Sequence, residues 1–210
     1  MYIPEHFQPA HSGDPAALVE GNPFGMLVTV PGGVPFISHL PFLYERSNGP
    51  HGRLYGHMAR SNLQWQHLLS GETVLVVFQG PHAYISPNWY NSPGVPTWNY
   101  AVAHLRGSPH LIEGEAELED LLKRQTGVYE SPQATPWDPT LTGERRSRLL
   151  SMIVGFEIDV SDVQAKFKLS QNRPLEDRQA IIEKLSQSAS QADHAVARLM
   201  AHIPGSNQPT

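Results

Sequence analysis

The sequence predicts a mainly β fold with peripheral helices (α+β), organised as a small antiparallel barrel. Three observations predict it. Six short runs rich in β-branched and aromatic residues fall between residues 24 and 106 at hairpin spacing. A further run at 153–163 (IVGFEIDVSDV) alternates apolar and polar residues as a half-buried strand does. The longer stretches with helical periodicity lie outside the strand-rich region, at about 115–152 and 174–201.

Residues 24–30 (FGMLVTV) read as the first strand, Pro31-Gly32-Gly33 as a turn, and 36–44 as the returning strand. Pro35 and Pro41 fall within or beside that second strand. Proline donates nothing to a sheet ladder, so the strand is expected at an edge, bulged, or bonded on one side only. Such a strand leaves backbone groups free for a ligand. A loop at 47–52 leads to a strand at 53–58 (RLYGHM), and 62–69 reads as a short helix capped by Ser61 or Asn62. Residues 72–79 (ETVLVVFQ) form a buried strand, 83–86 a short one, and 98–106 another beyond a Pro/Gly/Asn-rich loop.

A surface helix is expected at 115–130, a proline-rich loop at 131–142, a helix at 144–152, and then the strand at 153–163, which 165–170 extends. Pro174 opens a helix through Leu185, and a second runs from about Gln191 to Ala201. The expected organisation is a barrel domain over 1–170 with a helical insertion at about 115–152, a helical appendage at 171–202, and a disordered tail at 203–210.

Composition narrows the function. An apolar share of 40% supports a real core. Acids exceed bases 20 to 15 without charge blocks, which argues against a broad nucleic-acid surface. The chain has no cysteine, hence no disulfide or thiolate site, and that composition fits a reducing, cytoplasmic setting. No apolar run approaches the ~20 residues that span a bilayer, and the N-terminus lacks a secretion signal, so no membrane partner is expected.

The chemistry concentrates between Gly56 and Tyr100. From Arg46 to Ile112 the only carboxylate is Glu72, and five aromatics (Tyr84, Trp89, Tyr90, Trp98, Tyr100) lie within 17 residues. A region poor in acids and rich in aromatics, with Arg60 in it, suits a flat anionic ligand. Arg60, Ser61 and Asn62 at a helix start offer a guanidinium, a hydroxyl and N–H groups to a phosphate. An ordinary helix cap with a solvated arginine is the competing reading. The aromatics equally suit a barrel core or an oligomer interface. No GxxxxGK[ST] loop, GxGxxG fingerprint or GxSxG elbow occurs. The eleven histidines are not spaced as a metal site, although one alone would suffice as a haem ligand. From Gln171 on, four bases face four acids, so the C-terminal helix pair is a poor DNA reader.

The blocks MYIPEHF, FGMLVTV, PFISHLPFL, GPHGRLYGHMARSNLQW, VLVVFQGPHAYISPNWY, VPTWNYA, IVGFEID and KFKLSQNR, in this order, resemble the PaiB-like FMN-binding negative transcriptional regulators. They span residues 1 to about 200. The resemblance implies a split β-barrel of the pyridoxamine-phosphate-oxidase-like kind and a homodimer with FMN as cofactor. It implies that Ser38, His39, Leu40 and Pro41 run beside the isoalloxazine. His57, Met58, Ala59, Arg60 and Asn62 would hold the phosphate. Gln79, Trp98 and Asn99 would approach the ring or ribityl chain, and Lys168, Ser170 and Gln171 would complete the pocket. No catalytic residue and no metal site follow from it. The implied role is transcriptional repression, with DNA a candidate partner that the charge balance disfavours. A flavin-dependent oxidoreductase and a haem-binding or haem-degrading protein on the same fold are the alternatives.

Overall fold

A computed structural model of the chain describes residues 1–9, 13–137 and 142–203. Six strands form the sheet: β1 (Phe24–Thr29), β2 (Phe36–Glu45), β3 (Arg53–Ala59), β4 (Val74–Ile85), β5 (Thr97–Ile112) and β6 (Ile153–Lys168). Their order is β1-β2-β3-β6-β5-β4, and the sheet closes into a barrel. Six helices accompany it: α1 (Pro15–Gly21), α2 (Gln64–Leu68), α3 (Glu115–Glu130), α4 (Gly143–Ser151), α5 (Leu175–Ser186) and α6 (Gln191–Ala201). Among the described residues no helix is long and apolar enough to cross a membrane.

The residues group into two compact units, whose boundaries fall inside β4, β5 and β6. Unit 2 comprises Pro23–Val77 and Leu105–Asp162; unit 1 comprises Met1–Asn22, Phe78–His104 and the chain from Val163.

In unit 2, β2 changes partner along its length. Phe36–Pro41 pair with β1 (Thr29 to Phe24), whereas Phe42–Glu45 pair with β3 (Gly56 to Arg53). The remaining β3 residues, His57 to Ala59, pair with β6 through Gly155, Val154 and Ile153. Leu27, Phe42, Leu54, Phe156 and Ile158 fill the core beneath. Helix α3 starts with Glu115 and Glu117 in its first turn, where the N–H dipoles favour anions. Its Leu118 and Leu121 lie against Gly155, where an added Cβ would sit 2.7 Å from a Leu118 methyl. Glycine is what lets the helix approach that closely.

In unit 1, Phe78, Ile85, Ala101, Phe167 and Leu169 line the core with Ile181, Leu185, Val196 and Met200 from α5 and α6. The linkage of the loop after β4 to α5 is electrostatic. The buried Asp177 carboxylate accepts from the N–H groups of Asn91 (2.7 Å) and Ser92 (3.1 Å) and from the Ser92 hydroxyl. Burial raises this carboxyl's pKa, but the Ser92 and Asn91 hydrogen bonds and nearby Arg173 outweigh it and hold the group below the usual carboxylate range.

Several elements differ from the sequence reading. The runs at 72–79 and 83–86 are one strand, β4. Gly80 lies inside it and serves close packing: an added Cβ would meet a Leu18 methyl at 2.5 Å. β5 extends beyond the expected end to Ile112, whereas β6 reaches Lys168 through the expected extension at 165–170. Helix α1 has no counterpart in the expectation, although Asp14 accepts from Ala16 N–H and Pro15 sits at its first position. Helix α2 follows Leu63, and of the two expected caps it is Asn62, not Ser61, whose side chain accepts from the N–H of its first residue, Gln64. Pro174 precedes α5 as its N-cap rather than opening its first turn. Of the expected tail, Ile203 is buried and 204–210 lie outside the described residues, as do 138–141 of the proline-rich loop.

Asp177→Ala is expected to lower stability near neutral pH by about 2 kcal/mol, the scale of buried hydrogen bonds to a charged group. Because its folded pKa is depressed, the contribution is present above the unfolded value of about 3.9 and lost as pH falls through the folded one. Urea unfolding of wild type and variant should therefore diverge at about pH 7 and converge in acid. A difference that does not change with pH would show that the charge is not what holds the loop.

Candidate functional site

Unit 2 brings most of the predicted residues together. Where β2 leaves β3, the edge formed by Phe36–Pro41 pairs with no strand on that side among the described residues, and side chains span the opening instead. Asn62 Nδ2 donates to Ser38 Oγ at 2.8 Å, and its Oδ1 accepts from Gln64 N–H at 3.1 Å. Gln64 Nε2 donates to Phe36 O (3.1 Å), Leu27 O (3.0 Å) and Thr29 Oγ1 (3.1 Å). Its Oε1 is buried without a partner. Gln125 of α3 links His57 Nδ1 (2.8 Å) to Pro41 O (3.4 Å). His39 is exposed and stacks on Phe24, while Leu40 and Met58 point into the core.

Arg60 holds the far end of this opening. Its Nε and Nη2 donate to the carbonyls of Ser151 (2.9 Å) and Ile153 (3.1 Å), and its backbone N–H to Met152 O (2.8 Å). The guanidinium lies 5.9 Å from the Trp65 ring, and Trp65 Nε1 donates back to Arg60 O. The Arg60 and Asn62 N–H groups, expected to be free, are bonded to Met152 O and Ala59 O. What remains is the Nη1 end of the guanidinium, which has no partner among the described residues. Electrostatics set it apart. Arg53 pairs with Glu157 (2.9 Å) and Asp159 (2.6 Å), and Arg106 with Asp162 (2.9 Å). Of the three Lys or Arg side chains between residues 51 and 110, Arg60 alone has no carboxylate partner among the described residues.

The other predicted residues belong to unit 1. Asn99 and Ser170 are buried and bonded to each other, Asn99 Nδ2 to Ser170 Oγ at 3.0 Å and Ser170 Oγ to Asn99 Oδ1 at 3.1 Å. Lys168 Nζ donates to Thr97 Oγ1 and to Trp98 O (2.6 Å). Gln171 spends its amide locally, accepting from Leu169 N–H and donating to Phe167 O. Gln79 meets His82 at 3.3 Å. Trp98 is 53% exposed, with His82 and Tyr84 beside it.

The residues at the β2 opening fit a flavin mononucleotide: an unpaired strand edge, a hydroxyl and amides beside it, and an uncompensated guanidinium for the phosphate. The chain matches, over residues 1–162, the family described as "Putative FMN-binding domain". The chain belongs to this family. Its cofactor is FMN. It is 39% identical over 202 residues to "Protease synthase and sporulation protein PAI 2" of Bacillus subtilis (strain 168), covering 95% of this chain and 96% of the relative. Two solved structures share the fold at 16% identity. The flavocytochrome Anf3 from Azotobacter vinelandii superposes with a TM-score of 0.57 over 73% of this chain and 65% of its own. The FAD and heme binding protein from Mycobacterium smegmatis gives 0.56 over 72% and 68%. The barrel is thus of the flavin-binding split-barrel class.

Sequence reasoning missed Gln64 and Gln125. A signal existed for both, since each occupies an apolar helical stripe: Gln64 with Leu68, and Gln125 with Leu118 and Leu121. A polar residue at a core position of a helix is a mark of a network or a site. Gln64→Leu should leave three acceptors without their donor and cost about 3 kcal/mol or more in urea unfolding. A change under about 1 kcal/mol would show that water replaces the amide there.

Proposed function

We propose that the chain is a flavin-dependent regulator of gene expression that works as an FMN-loaded homodimer. The observation that carries the flavin part is the β2 edge, unpaired over Phe36–Pro41 and flanked by Arg60, the unneutralised guanidinium of an acid-poor region. In this reading Ser38–Pro41 run along the ring, and Arg60, with Asn62 and His57 behind it, receives the phosphate. When bound, FMN supplies one- and two-electron transfer. The protein's part is to orient the ring against the strand edge and to exclude water from it.

The homodimer is supported by apolar side chains left on the surface of unit 2. Phe24, Val30, Val34, Phe36 and Ile37 are all exposed, Ile37 at 52% and Phe36 at 43%, and they cluster on the β1–β2 hairpin. The regulatory role is supported by the family resemblance and by the sporulation protein at 39% identity. The charge balance of α5 and α6 directs that role to a protein partner rather than to extensive DNA contact.

Arg60→Ala is expected to weaken FMN binding by about 2 kcal/mol, roughly thirtyfold, read by quenching of flavin fluorescence on titration. A full flavin complement in the purified variant would place the phosphate elsewhere. Size-exclusion chromatography with light scattering should give twice the 23.3 kDa chain mass. Transcript levels in a strain carrying Arg60→Ala should match those of a strain lacking the gene. Unchanged transcripts in both would remove the regulatory role and leave the flavin site standing. Rapid bleaching of the flavin by NADH without oxygen would replace regulation with an oxidoreductase activity.

A further inference from the structure

Unit 1 contains a cavity of about 140 Å³ whose wall is more basic than the composition of the chain predicts. It is lined by Tyr90, Thr97, Asn99, Lys168, Ser170 and Arg173, with Val95 and Asn172 at the mouth. Its volume equals about five waters at their share of the liquid, enough for a carboxylate or phosphate group.

Four observations make it more than a surface dimple. The two cations on its wall, Lys168 and Arg173, have no carboxylate within ion-pair distance among the described residues. Lys168 donates to Thr97 Oγ1 and Trp98 O, and Arg173 Nη1 to Pro93 O, all neutral acceptors. The Tyr90 hydroxyl is buried with no partner of good geometry, while Arg173 stacks on its ring at 4.4 Å. Burial pushes this phenol's pKa up and nearby Arg173 pulls it partly back, so it stays a protonated donor. Ser170, at the floor, has φ 64°, and it is the only residue other than glycine with positive φ among those described. A serine held in the left-handed region is strained, and its hydroxyl is thereby locked onto Asn99.

We propose that this cavity receives the anionic head of a small molecule, a carboxylate or a phosphate monoester, as a ligand additional to the flavin. The recognising groups are the Lys168 ammonium, the Arg173 guanidinium and the Tyr90 hydroxyl, all donors, over an Asn99–Ser170 floor. A charge half removed from water costs free energy unless something opposes it. Burial, and after it the neighbouring Lys166, lowers the pKa of Lys168. A bound anion offsets both effects. Asp177, whose carboxylate accepts from Asn91 and Ser92, offsets part of the Arg173 charge without forming an ion pair with it, and Lys168 has no such neighbour within ion-pair distance among the described residues. Asn99, Lys168 and Ser170 are also residues that the family resemblance assigns to the flavin pocket, so the test is run against bound FMN.

The test is calorimetric titration of the FMN-saturated full-length protein with inorganic phosphate and, separately, with succinate. Binding of at least one probe is expected, weakened about tenfold or more in Lys168→Gln and in Arg173→Gln, with FMN affinity unchanged in Arg173→Gln. Succinate keeps its charge above neutral pH, so its binding should weaken from about pH 7 to 10 in wild type as Lys168 loses its proton, and not in Lys168→Gln. If Lys168→Gln does not fold, Arg173→Gln carries the comparison. No binding of either probe overturns the proposal, as does equal binding by wild type and variants. Phosphate binding that disappears once FMN is saturating would identify the cavity as the flavin's own phosphate seat and overturn the additional ligand.

Discussion

The change of partner within β2 is the constraint on which the flavin site depends. A strand bonded on both sides has no backbone groups to offer a ligand. By pairing with β1 up to Pro41 and with β3 only from Phe42, β2 keeps one side of its first half unbonded. The barrel can afford such an opening only if its polar groups find other partners, since unmet buried amides and carbonyls cost about 1–3 kcal/mol each. Here Gln64 supplies Phe36 O, Asn62 supplies Ser38 Oγ, and Gln125 supplies Pro41 O. These side chains fix the width of the opening without closing it. Pro41 sits at the switch point, where a residue without an N–H costs the ladder least.

Electrostatic pairing then selects the phosphate end. In an acid-rich chain, most arginines near the barrel are neutralised within their unit: Arg53 by Glu157 and Asp159, Arg106 by Asp162, Arg124 by Glu45 and Asp120, Arg146 by Glu115 and Glu119. Arg60 is held in place by carbonyls rather than carboxylates, which orients the guanidinium while leaving its charge available. Carbonyl anchoring gives a fixed geometry without charge compensation, and that is the combination a dianionic phosphate group needs.

The barrel was legible because strand signals are local. The alternation at 153–163 and the apolar runs at 24–30 and 74–78 each declared a strand without knowledge of its neighbours. The one-sided pairing of β2 was legible too, because Pro41 removes a donor whatever the tertiary context. What failed was any reading that needed a distance. The residues between the runs at 72–79 and 83–86 carry no strand signal of their own, and only the proximity of Leu18 shows that Gly80 serves packing within a continuous strand. The region 59–62 declared its phosphate chemistry by residue type, but whether its N–H groups were free depended on Met152, about ninety residues away in sequence. Tyr90 and Arg173 were invisible as a pair for the same reason. They stack at 4.4 Å across a separation that no periodicity records.

The unpaired cations of unit 1 pose the opposite problem from Arg60, and the comparison bears on why both exist. Arg60 is exposed, so its charge is solvated when no ligand is present and leaving it unpaired costs little. Lys168 and Arg173 are half-buried against Thr97, Tyr90 and the Asn99–Ser170 pair, where solvation is incomplete. A glutamate or aspartate at the exposed lining positions, Val95 or Asn172, would place a carboxylate on the wall of the same cavity. The chain carries an excess of acids and uses them this way elsewhere, yet these positions are neutral. A strained serine at the floor adds a further cost of order 1–3 kcal/mol that tighter packing alone would remove. Stability by itself would drive both features out. A site that must keep positive charge accessible to an incoming anion would retain them, and that is the physical reason to look for a second small ligand alongside the flavin.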